Sequence, residues 1–226
     1  MIKSDAVTAD IGADHGKLSI ALLQSGKTRH VLASDISEAS LDKARALARS
    51  CGQTANIDFF VSPGLSHIMP GSVDSIVLAG MGGEQIADIL EVHPEAARSA
   101  KQLVMQPMRG TAELRLYLHT HGYRTLDERI VLDAGRYYPL LCAADGPPER
   151  FVSEPVPAAL LVPYGALPIL RRDPLMLSML RAYRSGHTRR LEKAQARGRT
   201  PQSLVKILQD LDILIQYMEV RANASQ

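Results

Sequence analysis

Two periods of apolar and polar positions alternate along the first two thirds of the chain. Residues 7–11 form a short, largely apolar run that meets Gly12-Ala13-Asp14-His15-Gly16. From residue 17 to 24 the apolar positions Leu18, Leu22 and Leu23 follow helical spacing, and Gly26 closes the segment. The pattern predicts a strand, a glycine-rich turn and a helix. It then recurs. Residues 30–34 predict a second strand closing on Asp35, with Ser37 as the N-cap of a helix over 38–50. Residues 57–61 predict a third strand, and residues 73–79 a fourth that ends in Gly80-Met81-Gly82-Gly83 before a helix over 84–90. A fifth strand is predicted over 102–105, followed by Gln106-Pro107 and a helix over 111–121. Residues 124–132 and 137–143 are rich in β-branched and aromatic side chains and predict a closing pair. Strands alternating with helices at this spacing predict an α/β doubly wound parallel sheet, and a final hairpin adds an antiparallel edge strand.

The pattern changes after residue 145. Gly146-Pro147-Pro148, Pro155, Pro157, Pro163 and Pro168 punctuate a connector incompatible with long helices. Helical spacing returns over 174–197, where Leu177, Leu180, Arg184, His187, Leu191 and Ala194 lie close to one face. Gly198 stops this helix. Thr200 as N-cap and Pro201 at the first helical position open another, carrying Leu204, Ile207, Leu208, Leu211, Ile215 and Met218. Two amphipathic helices with a short turn predict an antiparallel, coiled-coil-like hairpin. The reading is therefore a sheet domain over 1–150, then a connector and helical hairpin over 151–226.

Composition narrows the class. With 226 residues, 46% hydrophobic and 22% charged, the chain is globular rather than disordered. No apolar run approaches the roughly 20 residues of a membrane helix, and the first residues lack the apolar core of a signal peptide. A cytoplasmic protein without membrane contact is expected. Cys51 and Cys142 lie far apart and have no metal-ligand spacing, so no metal centre is expected. The net charge of +2 conceals two unlike parts: residues 1–153 carry −3 and residues 154–226 carry +5. Such asymmetry is a cue for an appended segment that binds a polyanion.

The chemistry concentrates at the first turn. Asp10, Gly12, Asp14 and Gly16 spell D-x-G-x-D-x-G between a strand and a helix, where open α/β sheets bind ligands. The dinucleotide fingerprint G-x-G-x-x-G is excluded, because Asp14 and Lys17 stand where it needs glycines. Asp35, at the end of the second strand, can accept both hydroxyls of a ribose.

The turn resembles the first motif of class I S-adenosylmethionine-dependent methyltransferases, with Asp14 in place of the middle glycine. D-I-G-x-D-H-G-x-L over 10–18, A-G-M-G-G over 79–83, Gln106-Pro107 and R-Y-Y over 136–138 occur in this order. Together they resemble the bacterial tRNA adenine N1-methyltransferases that modify position 22, the TrmK family, over roughly residues 7–145. The resemblance implies a Rossmann-like sheet, S-adenosylmethionine as cofactor and tRNA as partner, with no obligate protein partner. It implies a donor site formed by Asp10, Gly12, Asp14, Gly16, Asp35, Ile36, Gly64, Leu65, Gly80, Met81 and Gly82. Asp14 would stabilise the charge that develops on adenine. His15 would orient the base or accept a proton, or simply bond the backbone. Gln106 would bond an adenine edge or close the fifth strand.

Three positions depart from the family. Few residues precede the first strand, where a helical lead-in is usual. Ser62-Pro63-Gly64-Leu65 stands in place of G-D-G-L, which removes an acid that contacts the donor's adenine. Gly16-Lys17-Leu18-Ser19 stands in place of A-Y-L-P. Between Arg171 and Arg199 lie nine basic residues against Asp173 and Glu192. Arg181, Arg184, Arg189, Arg190, Lys193 and Arg197 from this stretch, with Arg109 after the fifth strand, are the expected RNA contacts. Two other readings stay open: a methyltransferase acting on a small molecule or protein, and a non-catalytic RNA-binding descendant.

Overall fold

The computed structural model describes residues 1–2, 4–148 and 156–220. Seven strands form one sheet in the order β3-β2-β1-β4-β5-β7-β6. They are β1 (Ala6–Ile11), β2 (Thr28–Asp35), β3 (Ile57–Val61), β4 (Ser75–Gly82), β5 (Gln102–Arg109), β6 (Tyr123–Asp133) and β7 (Arg136–Asp145). The pairs β1–β2, β1–β4, β2–β3 and β4–β5 are parallel, and β5–β7 is antiparallel. The expected doubly wound sheet with an antiparallel strand is thus present, with β7 lying inside and β6 at the edge. The β6–β7 turn places Ala134 at φ 45° and Gly135 at φ 76°, the left-handed pair that a two-residue hairpin requires.

Helices α1 (Lys17–Gln24), α2 (Glu38–Ser50), α3 (Gly83–Val92), α4 (Pro94–Ser99) and α5 (Thr111–Thr120) fill the crossovers. Right-handed connections put α1 and α2 on one face and α3, α4 and α5 on the other. The first group covers Val31, Ala33 and Ile57 with Ile20, Leu23 and Ala48. The second covers Ile76, Leu78, Leu103 and Met105 with Ile86, Leu90, Leu114 and Leu118. Ser37 caps α2 as its sequence position predicts, its side chain accepting the Ser40 N–H at 3.2 Å.

The C-terminal part contains α6 (Ala158–Tyr164), α7 (Ala166–Leu170), α8 (Pro174–Gln195) and α9 (Gln202–Glu219). Residues 149–155 of the expected connector lie outside the described residues. The two short helices that follow agree with its proline spacing. Asp173 caps α8 by accepting the Leu175 N–H at 2.8 Å. One detail differs from expectation. Pro201 is itself the N-cap of α9, with no side-chain cap bond, so Thr200 does not cap and Pro201 is not the first helical residue.

The chain divides into two compact units, 1–128 with 139–149, and 129–138 with 150–226. The second has its own core, in which Leu161, Ile169, Met176, Met179, Leu180, Leu211, Leu214 and Met218 pack with Ile130. No helix among the described residues is long and apolar enough to cross a membrane.

Candidate functional site

The sheet reverses its winding between β1 and β4, so their carboxyl ends open the crevice where such sheets bind ligands. The turn after β1 is held from beneath. The N–H groups of Gly12 and Ala13 donate to the Ser34 carbonyl at 2.8 and 2.9 Å, which fastens the turn to the end of β2. Gly12 and Gly16 have φ of 73° and 72°, and Asp14 between them has φ of 48°. Aspartate is among the few residues that tolerate this left-handed region. The position therefore keeps a glycine-like backbone while adding a carboxylate whose side chain is 69% exposed.

Asp35 organises the crevice. Its Oδ2 accepts the Asp14 N–H at 3.0 Å and its Oδ1 accepts the Ser37 N–H at 2.9 Å. One bond to each oxygen fixes the carboxylate plane and leaves a further acceptor direction on each. Ile36 follows it with 77% of its surface exposed, an apolar face beside a fixed carboxylate. The Ser62 N–H donates to the Asp35 carbonyl at 3.0 Å, bringing the end of β3 to the same edge. Ser62 and Ser66 hydroxyls pair at 2.8 Å, and Ser66 Oγ also donates to the Pro63 carbonyl.

Two expected donor-site side chains face inward instead. Leu65 is 1% exposed and belongs to the core, so only its backbone borders the edge. Asp10 is 2% exposed and accepts the Ser19 hydroxyl at 2.6 Å. Asp10 therefore anchors α1 beneath the turn rather than contacting a ligand. Burial, opposed by the Ser19 bond, pushes its pKa up to about 6. Its ionised form is disfavoured by folding. The cost is absent below about pH 4, grows between about pH 4 and 6, and is complete above that. Asp10→Asn, which keeps an acceptor for Ser19, is expected to stabilise the protein at pH 7.5 by on the order of 2–3 kcal/mol. It should add nothing at about pH 3.5. Denaturant melts at both pH values check this, and equal stability of the two proteins at pH 7.5 would refute it.

On the β4 side, Gly80 has φ of 78° and open space where a Cβ would stand. Its N–H donates to Gln106 Oε1 at 3.1 Å, while Gln106 Nε2 donates to the Pro107 carbonyl at 3.2 Å. Gln106 thus ties the ends of β4 and β5. Met81 reaches the first turn: a Cβ on Gly12 would lie 2.3 Å from Met81 Cε. Gly82 and Gly83 form one wall of a cleft of about 590 Å³, also lined by Gln85, Arg109, Gly110 and Glu113. A Cβ on Gly83 would lie 2.1 Å from the Gly110 carbonyl oxygen, so glycine is needed for this close approach. Arg109 is exposed and makes no ion pair among the described residues.

His15 Nε2 lies 3.5 Å from Asp14 Oδ1 and 3.3 Å from Lys43 Nζ. Lys43 on α2 had no sequence signal, because only packing of α2 against the first turn brings it there. Ser19 was missed likewise, since a helical serine carries no mark of a buried acid below it.

The basic stretch is elsewhere, in the C-terminal unit. Arg181 pairs with Glu219 at 2.6 Å and Arg184 pairs with Asp212. Arg189, Arg190, Lys193 and Arg197 are exposed and without an ion pair among the described residues.

Residues 1–141 match the family described as Methyltransferase domain. The tRNA (adenine(22)-N(1))-methyltransferase of Bacillus subtilis is 32% identical over 145 residues, 64% of this chain and 61% of that protein. The chain matches about three fifths of the length of its curated relatives. A putative tRNA (m1A22) methyltransferase of Streptococcus pneumoniae superposes with a TM-score of 0.83 at 25% identity, covering 95% of both chains. The structure of that protein in complex with S-adenosyl-L-methionine superposes with a TM-score of 0.81 at 25% identity, covering 95% of this chain and 94% of that one. The kinship read from the motifs is borne out.

Proposed function

This chain belongs to the methyltransferase-domain family, and we propose that it transfers a methyl group from S-adenosylmethionine to N1 of adenine 22 in tRNA, in the cytoplasm. The observation that carries the reading is the fixed Asp35 carboxylate beside the Gly12–Gly16 turn, taken with the likeness to the adenine-22 methyltransferases.

The residues fit the donor. Asp35 has one free acceptor direction on each oxygen, which suits the two hydroxyls of a ribose. Ile36 offers an apolar face for a purine, and Gly12 and Gly80 let backbone approach the ligand closely. When bound, S-adenosylmethionine supplies a methyl group activated by a sulfonium. Pro63 brings no carboxylate to this edge, so purine recognition rests on packing and backbone.

Adenine N1 carries a lone pair in the neutral ring, so no residue has to remove a proton before attack. The chain's contribution is alignment and exclusion of water. Met81 and the flanking glycines shape the junction between the donor edge and the cleft beyond Gly82. The ring becomes cationic as N1 gains the methyl group, and the exposed Asp14 carboxylate stabilises that charge. His15, set between Asp14 and Lys43, orients the base. Gln106 holds the β4 and β5 ends together, and Arg109 contacts the RNA backbone near the target.

Incubation with unmodified tRNA and labelled donor, then digestion to nucleosides, should yield 1-methyladenosine. A protein that binds S-adenosylhomocysteine but labels no tRNA would overturn the tRNA assignment and leave a methyltransferase of another acceptor. Asp14→Gly removes the carboxylate and keeps the left-handed backbone. Single-turnover methylation is expected to fall by at least ~100-fold, with donor affinity changed little. An unchanged rate would remove Asp14 from the chemistry.

A further inference from the structure

The nine basic residues between Arg171 and Arg199 have two different environments. Near the base of the hairpin they are engaged. Arg172, at φ 55°, donates to the Tyr217 and Met218 carbonyls at 2.5 and 3.0 Å and lies over the Tyr217 ring, closing the C-terminus of α9. Arg181 and Arg184 are bound to Glu219 and Asp212 across the hairpin, and Arg171 is also engaged. Residues 171–188 and 207–220 together hold four basic and four acidic side chains, a net charge of zero.

The other end is different. Residues 189–206 hold six basic side chains against Glu192 alone, a net charge of +5. Arg189, Arg190, Lys193, Arg197 and Arg199 are all exposed, and none makes an ion pair among the described residues. Only Lys206 leans on an acid, Asp210, at 3.3 Å. Arg189 and Lys193 are neighbours on one face of α8, Arg190 stands beside them, and the last two lie in or next to the turn. Acids on α9 begin only at Asp210, so nothing across the hairpin neutralises this end. Uncompensated like charges at such density repel one another, and a polyanion relieves that repulsion while its counterions are released.

We propose that the hairpin tip, from Arg189 to Arg199, is the phosphate-gripping surface for RNA, and that the arginines at its base are a clasp holding α8 to α9. The proposal rests on the reading that RNA is the substrate. Arg189 lies 15 residues beyond the start of α8, or about 23 Å along the helix. The tip therefore engages RNA well away from the hairpin base.

Two full-length variants test this. One carries Arg189→Gln, Arg190→Gln, Lys193→Gln and Arg197→Gln; the other carries Arg181→Gln and Arg184→Gln. Affinity for unmodified tRNA is measured across a salt series, with S-adenosylhomocysteine calorimetry and thermal melts on the same samples. The tip variant should keep its melting temperature and its S-adenosylhomocysteine affinity. Its tRNA Kd should rise at least ~30-fold at 0.1 M salt, and its log–log salt slope should shrink by about 3. The base variant should melt earlier and keep the wild-type slope within about one unit. A tip variant with wild-type Kd and slope overturns the proposal, as does a base variant that alone loses the slope. Wild-type protein that binds no tRNA at any salt would sink the RNA reading itself, a result distinct from tRNA binding that ignores the tip.

Discussion

Asp35→Ala is expected to weaken S-adenosylhomocysteine binding by at least ~100-fold. Each hydrogen bond to an ionised group contributes about 1.5–3 kcal/mol, so losing two ribose contacts amounts to about 3–6 kcal/mol, or ~10²–10⁴ in Kd. A second loss follows from the site itself. The Asp14 and Ser37 N–H groups both donate to this carboxylate, so alanine also unties the first turn from the start of α2. Asp35→Asn separates the two contributions, because an amide oxygen retains one backbone bond but presents a donor where the other acceptor stood. Its affinity should fall between those of wild type and Asp35→Ala. Calorimetry checks the series, and an Asp35→Ala Kd within threefold of wild type would exclude Asp35 from the donor site.

Glu128→Ala is expected to cause the largest loss of stability. Glu128 Oε1 accepts from Arg115 Nε at 3.0 Å, and the two side chains are 5% and 7% exposed. Oε2 of the same carboxylate is buried without a hydrogen-bond partner among the described residues. Removing the acid breaks a buried ion pair, a change that costs about 3–5 kcal/mol. For a chain of this size that corresponds to a fall in Tm of roughly 6–20 °C. Replacing the pair together, Arg115→Met with Glu128→Leu, should recover most of the loss, because apolar side chains avoid the desolvation of both charges. Thermal melts of the single and double variants decide the matter. A single variant within about 1 kcal/mol of wild type would show that water reaches the pair.

The sequence carried the parts of this architecture that depend on local pattern. The helices over 17–24 and 38–50 and the strand over 57–61 have the bounds their apolar spacing predicts. The ends of β4 and β5 were not legible. The glycines and proline there read as stops, yet β4 runs to Gly82 and β5 to Arg109. Register irregularities between Ala79, Met81 and Gly82 let Met81 oppose Pro107, and a proline is tolerated where the ladder is broken in this way. Helix α4 escaped because it has six residues, opens on Pro94 and buries only Ala96 and Ala97. At the site, glycine spacing and Asp35 pointed to the crevice, but which carboxylates face it was invisible. Asp10 and Asp14 look equivalent in the motif, and only packing turns the first onto Ser19 and the second outward. The basic stretch likewise reads as one run until pairing across α8 and α9 divides it.

The apolar core of the C-terminal unit takes in Ile130, with Tyr137 packed against it, both from the end of the β6–β7 hairpin. That unit is therefore assembled from two separate stretches of chain and is not a detachable module. A stop codon near residue 150 would leave the hairpin end without its apolar cover, an exposed strand edge of the kind that promotes aggregation. Exchange of the helical region between relatives would succeed only if residues 129–138 travelled with it. Divergence in one stretch should accordingly be matched by compensating change in the other, although the eleven residues 139–149 lie between them in the sequence.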